Sequence, residues 1–292
     1  GVVCLLLVLA LVQFIGGTLV VRLSMVITAA FFALAAVPIF LWLRERAEPK
    51  GLPPGENYLG VALKRLGRTI RTAGRFREFV KFMIAFLVYN DGIITALNFA
   101  AIIGGVLYGM TQEQLIFLVI VVQITNVAGA YLFGILVDRI GGKRSLVLSL
   151  LLMIAVVIWL FFNPTLEGYF VIGAVAGFAM AGAQSVSRTM VAIFAPPGQS
   201  AEFYGFFAVI GRTSSFIGPF VFGLLAAEAT LWYEGQGQGP ALAEQSGHRV
   251  AILSIAAFLV VGLVLLAFVD EKKARSAAKQ PGVQGELGGG SE

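Results

Sequence analysis

The chain has little of what soluble enzymes use. Cysteine occurs once, as Cys4, and histidine once, as His248. A lone cysteine rules out a disulfide framework within the chain, and a lone histidine in a loop rules out a histidine-rich metal site. Charge is scarce: 13% of the 292 residues are Asp, Glu, Lys or Arg, about half the share in a soluble domain. No Gly-x-x-x-x-Gly-Lys-Ser/Thr loop is present, which excludes ATP hydrolysis at a site of that kind. His-Glu-x-x-His is absent, and no second aspartate joins Asp91 in the core of an apolar run. An intramembrane hydrolase therefore has no visible nucleophile, carboxylate pair or metal site to work with. Nothing in the sequence asks for a cofactor. The net charge of +5 does not point to nucleic acid, because the basic residues sit between the apolar runs.

What the chain has is long apolar sequence. Hydrophobic residues make up 58% and the mean hydropathy is +0.89. This composition predicts an all-α, polytopic membrane protein whose first partner is the lipid bilayer. A span needs about 20 apolar residues. Eight runs qualify, at about 1–21, 23–44, 79–109, 113–137, 145–163, 167–194, 202–227 and 249–270. Arg22 alone separates the first two. Gly1 enters hydrophobic sequence at once, with no basic n-region or small-residue cleavage site, so this end reads as a truncation and not as a signal peptide.

Lysine and arginine divide unequally between the two faces such spans define. The 44–81 segment, the 138–144 turn and the C-terminal tail together hold 17, and the opposite face holds Arg22 and Arg249. The positive-inside rule places the rich face, with the long loop and the C-terminus, in the cytoplasm. The domain organisation expected is two helices in 1–44, a cytoplasmic linker in 45–78, six helices in 79–270 and a disordered cytoplasmic tail in 271–292. Within the linker, Leu59, Val61, Ala62, Leu63, Leu66 and Ile70 alternate with basic residues at helical spacing, as in an amphipathic helix lying at the inner headgroup layer. The Gly- and Gln-rich stretch 228–248 reads as a mobile external loop.

One carboxylate sits in the middle of an apolar run, in Tyr89-Asn90-Asp91-Gly92. A charge at bilayer depth is costly, so Asp91 either pairs with a basic residue to fix packing or faces a cavity, a substrate or a proton path. Counted from the basic face, Asp91 and Arg212 reach similar depth, ~15–18 Å along their helix axes at 1.5 Å per residue. They could form a pair, and Arg212 could instead grip a substrate carboxylate. Asn90, Asn98, Gln123, Asn126, Gln184 and Ser187 add polar groups to these runs. Each can serve as interhelical glue, and as a set they could line a polar cavity around Asp91. Asn90-Asp91-Gly92 could open its helix locally, and Gly218-Pro219 should kink the 202–227 run.

The turn Gly134-Ile-Leu-Val-Asp138-Arg139-Ile-Gly141-Gly142-Lys143-Arg144 resembles the interhelical signature of the major facilitator superfamily. That resemblance implies a contact between Asp138 and a basic residue two helices on, Arg188, that would lock one conformation. Tyr89-Asn90-Asp91-Gly92, Gln184-Ser185-Val-Ser187-Arg188, Glu202-Phe203-Tyr204-Gly205-Phe206 and Ser214-Ser215-Phe216-Ile-Gly218-Pro219 together look like the vacuole effluxer-like branch, known for yeast vacuolar amino-acid exporters. The resemblance covers about 75–270. Twelve spans are usual there, with the long basic loop between the sixth and seventh, so the chain looks like the last eight. The resemblance implies secondary transport of a small solute, with amino acids as the candidate class and a proton as the candidate coupling ion, in a bacterial inner membrane. A non-transporting membrane partner or assembly subunit is the alternative, and an intramembrane enzyme a remote one.

Overall fold

A computed structural model describes residues 4, 6–8, 10, 18–42 and 76–279, except 198 and 214. The linker with its amphipathic pattern, most of the first apolar run and the tail beyond Lys279 lie outside the described residues. Beyond the helical residues among 4–10, the described part holds these helices: α1 Thr18–Trp42, α2 Arg77–Tyr108, α3 Gln112–Ile140, α4 Gly142–Phe162, α5 Leu166–Phe194, α6 Ser200–Thr213, α7 Ile217–Gly235, α8 Pro240–Ala267 and α9 Glu271–Lys279. Seven stretches among them are long and apolar enough to cross a membrane, with α6 and α7 counted as one. The fold class is all-α and polytopic.

Local chemistry sets the helix ends. α2 stops at Gly109, whose φ of 62° needs glycine, and the amides of Gly109 and Met110 return to the carbonyls of Gly105 and Gly104. Thr111 then starts α3 with a capping box: its hydroxyl accepts from the Gln114 amide, and the Gln114 side chain accepts from the Thr111 amide. Gly141, at φ 90°, makes the tight turn from α3 to α4. Thr165 caps α5 through the Gly168 amide.

Three sequence expectations about boundaries need correction. Arg22 does not sit between two helices but inside α1, which runs through it from Thr18; one arginine among good helix formers does not break a helix. The external loop is not 228–248. It shrinks to 236–239, because α7 continues to Gly235 and α8 starts at Pro240. Proline suits a first helical turn, where no amide is needed. The tail is not disordered from 271: α9 spans Glu271–Lys279, with the Asp270 carboxylate accepting from the amides of Lys272 and Lys273.

α2 to α9 form one bundle. α8 packs on α7, α2 and α4, and α5 packs on α3 and α4. Glycines allow the close contacts. A Cβ at Gly129 would collide with the Phe178 carbonyl, and one at Gly262 would come within 2.8 Å of the Tyr89 amide nitrogen. Aromatic rings fix α6 to α2, with Phe79 and Phe86 at 4.4 Å from Phe203 and Phe207. α1 carries a strongly apolar window, of mean hydropathy 2.3, of which no part is buried.

Candidate functional site

Asp91 is buried, but not beside a cation. Its helix is unbroken from Arg77 to Tyr108, so Asn90-Asp91-Gly92 does not open the backbone as the sequence suggested. The break falls in the facing span, between Thr213 and Ile217. That break leaves amides at the start of α7 without partners inside the helix. Asp91 Oδ2 accepts from the Gly218 amide at 2.8 Å, as a helix cap delivered from another helix. Gly218 has to be glycine for this approach, since a Cβ there would collide with the Thr95 hydroxyl and lie 2.9 Å from Asp91 Oδ1. Asp91 Oδ1 has no hydrogen-bond partner. Arg212 is exposed, and the Asp91–Arg212 pair is not formed. Depth along an axis was matched, but α6 ends at Thr213, and Asp91 meets the next helix instead.

The neighbours of Asp91 are also engaged. Ser187 donates its hydroxyl to the Ala183 carbonyl at 2.5 Å, so the Tyr89 hydroxyl, 2.7 Å away, donates to Ser187 Oγ. Asn90 donates to the Gly211 carbonyl at 3.5 Å. These groups tie α2 to α5 and α6. Asn98 is exposed and lines neither cavity described next.

The other polar candidates meet elsewhere. Gln123 and Asn126 on α3 and Gln184 on α5 line two adjoining cavities. The smaller, about 500 Å³, is mostly apolar, with Val122, Met153, Val157 and Ile172 among its walls. The larger, about 700 Å³ and more open, adds Ser185, Arg188, Thr189 and Tyr204. Asn126 Nδ2 donates to Gln123 Oε1 at 3.2 Å, while Asn126 Oδ1 is buried with no partner. An unpaired acceptor in such surroundings costs about 1–3 kcal/mol. Ser185, Thr189 and Tyr204 were not singled out by the sequence reading as wall residues. Ser185 and Thr189 stand one and five places from Gln184, which was the available signal for that wall of α5.

The signature turn lies at the basic end of the bundle. Asp138, Arg139 and Arg144 are exposed, and a Cβ at Gly134 would meet open space. Asp138 and Arg188, both exposed, form no ion pair with each other, so the contact implied by the resemblance is not made. α9 holds the turn instead. The Lys143 amide donates to Glu271 Oε2 at 2.9 Å, and Lys143 Nζ donates to the carbonyls of Ala267 and Val269, both at 2.7 Å. Gly141 and Gly142 leave room for the Glu271 carboxylate. Among the described residues no cluster of His, Cys, Asp and Glu could hold a metal.

A family described as "Vacuole effluxer Atg22 like" matches residues 1–279. An uncharacterized MFS-type transporter, YxiO of Bacillus subtilis, is 26% identical over 89% of this chain and 56% of its own length. Autophagy-related protein 22-1 of Aspergillus niger is 24% identical over 93% of this chain and 45% of its own. The chain thus spans about half the length of the curated relatives it matches. A bacterial homolog of the human lysosomal transporter Spinster, solved inward-facing and unoccupied, superposes with a TM-score of 0.63 at 17% identity, over 90% of this chain and 61% of that one. The fold is therefore of the major facilitator type, and the bacterial relative is described as an MFS-type transporter. With its profile matched over 279 residues in a multi-pass helical membrane fold, the chain belongs to the vacuole effluxer Atg22-like family.

Proposed function

We propose that this chain is part of a secondary active transporter that moves a small solute of the amino-acid class by alternating access, coupled to protons. The observation that carries the reading is the pair of cavities sharing Gln123, Asn126 and Gln184, with Asn126 Oδ1 buried and unpartnered. A solute N–H group would satisfy that oxygen. Arg188 stands on the wall of the larger cavity with no ion-pair partner among the described residues, placed to grip a carboxylate. The apolar walls of the smaller cavity suit an uncharged side chain.

Asp91 is the coupling group in this reading. Its negative charge caps α7, and a proton on it removes the charge that favours that cap. Gain or loss of one proton would then bias the break between α6 and α7, the discontinuity in this part of the bundle. Facing it from α6 the nearest charged residue in sequence is Arg212, which is exposed, and the stretch of α8 from Ala251 to Ala267 carries no charge. The basic end faces the cytoplasm by the positive-inside rule, and the membrane is the bacterial inner membrane. The names of the relatives, vacuole effluxer and MFS-type transporter, support the class.

The test is uptake of radiolabelled amino acids by proteoliposomes of the complete protein under an imposed pH gradient. Gln184→Ala and Arg188→Gln should abolish saturable uptake. Asp91→Asn should keep solute exchange and lose the response to the gradient. Full gradient-driven transport by Asp91→Asn would remove the coupling role, and unchanged solute affinity in both cavity variants would remove the site.

A further inference from the structure

We propose that the basic end of the bundle holds an anionic phospholipid, with its phosphate seated between the α3–α4 turn and α9. An open cavity of about 820 Å³ lies there, bounded by the ends of α2, α3, α4 and α8 and by α9. Its wall carries six cations, Lys81, Lys143, Arg144, Lys272, Lys273 and Arg275, against three carboxylates. All three carboxylates are engaged. Glu78 accepts from Lys81 Nζ at 2.7 Å and from the Asp270 amide at 2.6 Å. Glu271 accepts from the Lys143 amide, and its other oxygen lies 3.3 Å from the Arg275 guanidinium. Asp270 accepts the amides of Lys272 and Lys273, with Lys273 Nζ at 3.8 Å.

The side chains of Arg144 and Lys272 are exposed and have no carboxylate partner among the described residues. The cavity therefore keeps an excess of positive charge, with donors on two sides of one open space. A phosphodiester supplies the missing charge and acceptor oxygens. The rim says that the phosphate belongs to a lipid. Phe268 and Ile140, 66% and 38% exposed, lie at the ends of two apolar spans and give the cavity an apolar rim that acyl chains would cover. A free small anion has no use for that apolar rim.

The experiment weighs the purified full chain by native mass spectrometry after equilibration with equal phosphatidylglycerol and phosphatidylcholine. Phosphatidylglycerol adducts should dominate. Arg144→Gln and Lys272→Gln should each lower that excess about fivefold, the weight of one basic residue at an anionic surface. Arg139→Gln, on the same turn but outside the cavity, should leave it unchanged, and inorganic phosphate at the same concentration should not compete. Equal retention of the two lipids would overturn the proposal. So would an equal loss in Arg139→Gln, which means diffuse surface charge, or displacement by inorganic phosphate, which means a small-anion site. The substituted side chains are exposed, and an unchanged thermal midpoint shows that the variants are folded.

Discussion

Two regions inside the bundle hold polar side chains, and they use them differently. Around Asp91 on α2, nearly every group is committed: Tyr89 to Ser187, Asn90 to Gly211, Thr95 to the Asp91 carbonyl, and Asp91 Oδ2 to Gly218. Around Gln123, Asn126 and Gln184, the polar groups look into open volume, and one buried oxygen waits for a donor. Asp91 Oδ1 and Asn126 Oδ1 are both buried without a partner, but Asn126 lines open volume, and Arg188 adds a charge to the wall of the larger cavity. The region around Asp91 ties helices together. The cavity region, with Arg188 on its wall, is suited to holding a ligand.

Substitutions can break that contrast. The largest effect is expected at packing glycines, which belong to neither region. Gly129→Ala puts a Cβ into the Phe178 carbonyl, where backbone must move, and should cost about 3 kcal/mol. Thermal unfolding in detergent would show it, and an unchanged midpoint would contradict the α3–α5 contact. Next comes the cap. Asp91→Ala leaves the Gly218 amide unsatisfied and should cost about 2 kcal/mol, whereas Asp91→Asn keeps an acceptor and should stay within about 0.5 kcal/mol of the parent. Equal losses in the two variants would mean that the charge, not the hydrogen bond, carries the stability.

The cavity region should respond in the opposite way. Gln184→Ala lines open space and makes none of the side-chain hydrogen bonds found around Asp91, so its stability should change by less than about 0.5 kcal/mol. Its effect should appear in solute affinity. A large loss of stability would move Gln184 into the structural group and erase the contrast. The smallest effect is a pH response at the basic end. The Lys273 amide holds the Asp270 carboxyl below its ordinary value, with the Lys272 amide adding to it. A carboxyl lowered on folding adds stability above its unfolded value and loses it as pH falls through the folded one. Docking of α9 should thus be constant from neutral pH down to about 4 and weaken below that. Hydrogen exchange of the α9 amides across that range would check it.

The apolar runs were legible because membrane helices must satisfy their backbone internally, and that leaves a long, unmistakable pattern. The runs at 145–163 and 167–194 lie close to α4 and α5. The kink expected at Gly218-Pro219 appears as the break before Ile217. What the pattern concealed were ends governed by single caps. Pro240 started α8 inside a stretch that composition marked as loop, and Asp270 started α9 inside one marked as disorder. The candidate site was half legible. Gln123, Asn126 and Gln184 were named as polar residues in apolar runs, but they were grouped around Asp91, since sequence shows depth along each helix but not which neighbour a face meets.

By itself the sequence determined the spans, their number within the described part, the basic face and the identity of the polar residues that had to be explained. These follow from solvation, which each segment feels on its own. Only the tertiary structure decided the partners. Whether Asp91 met Arg212 or the Gly218 amide depended on where α6 ended and which helix lay opposite. Whether an amide became glue or cavity wall depended on the space left between α3 and α5, which close helix contacts through glycine and bulky side chains set jointly, and no single segment encodes.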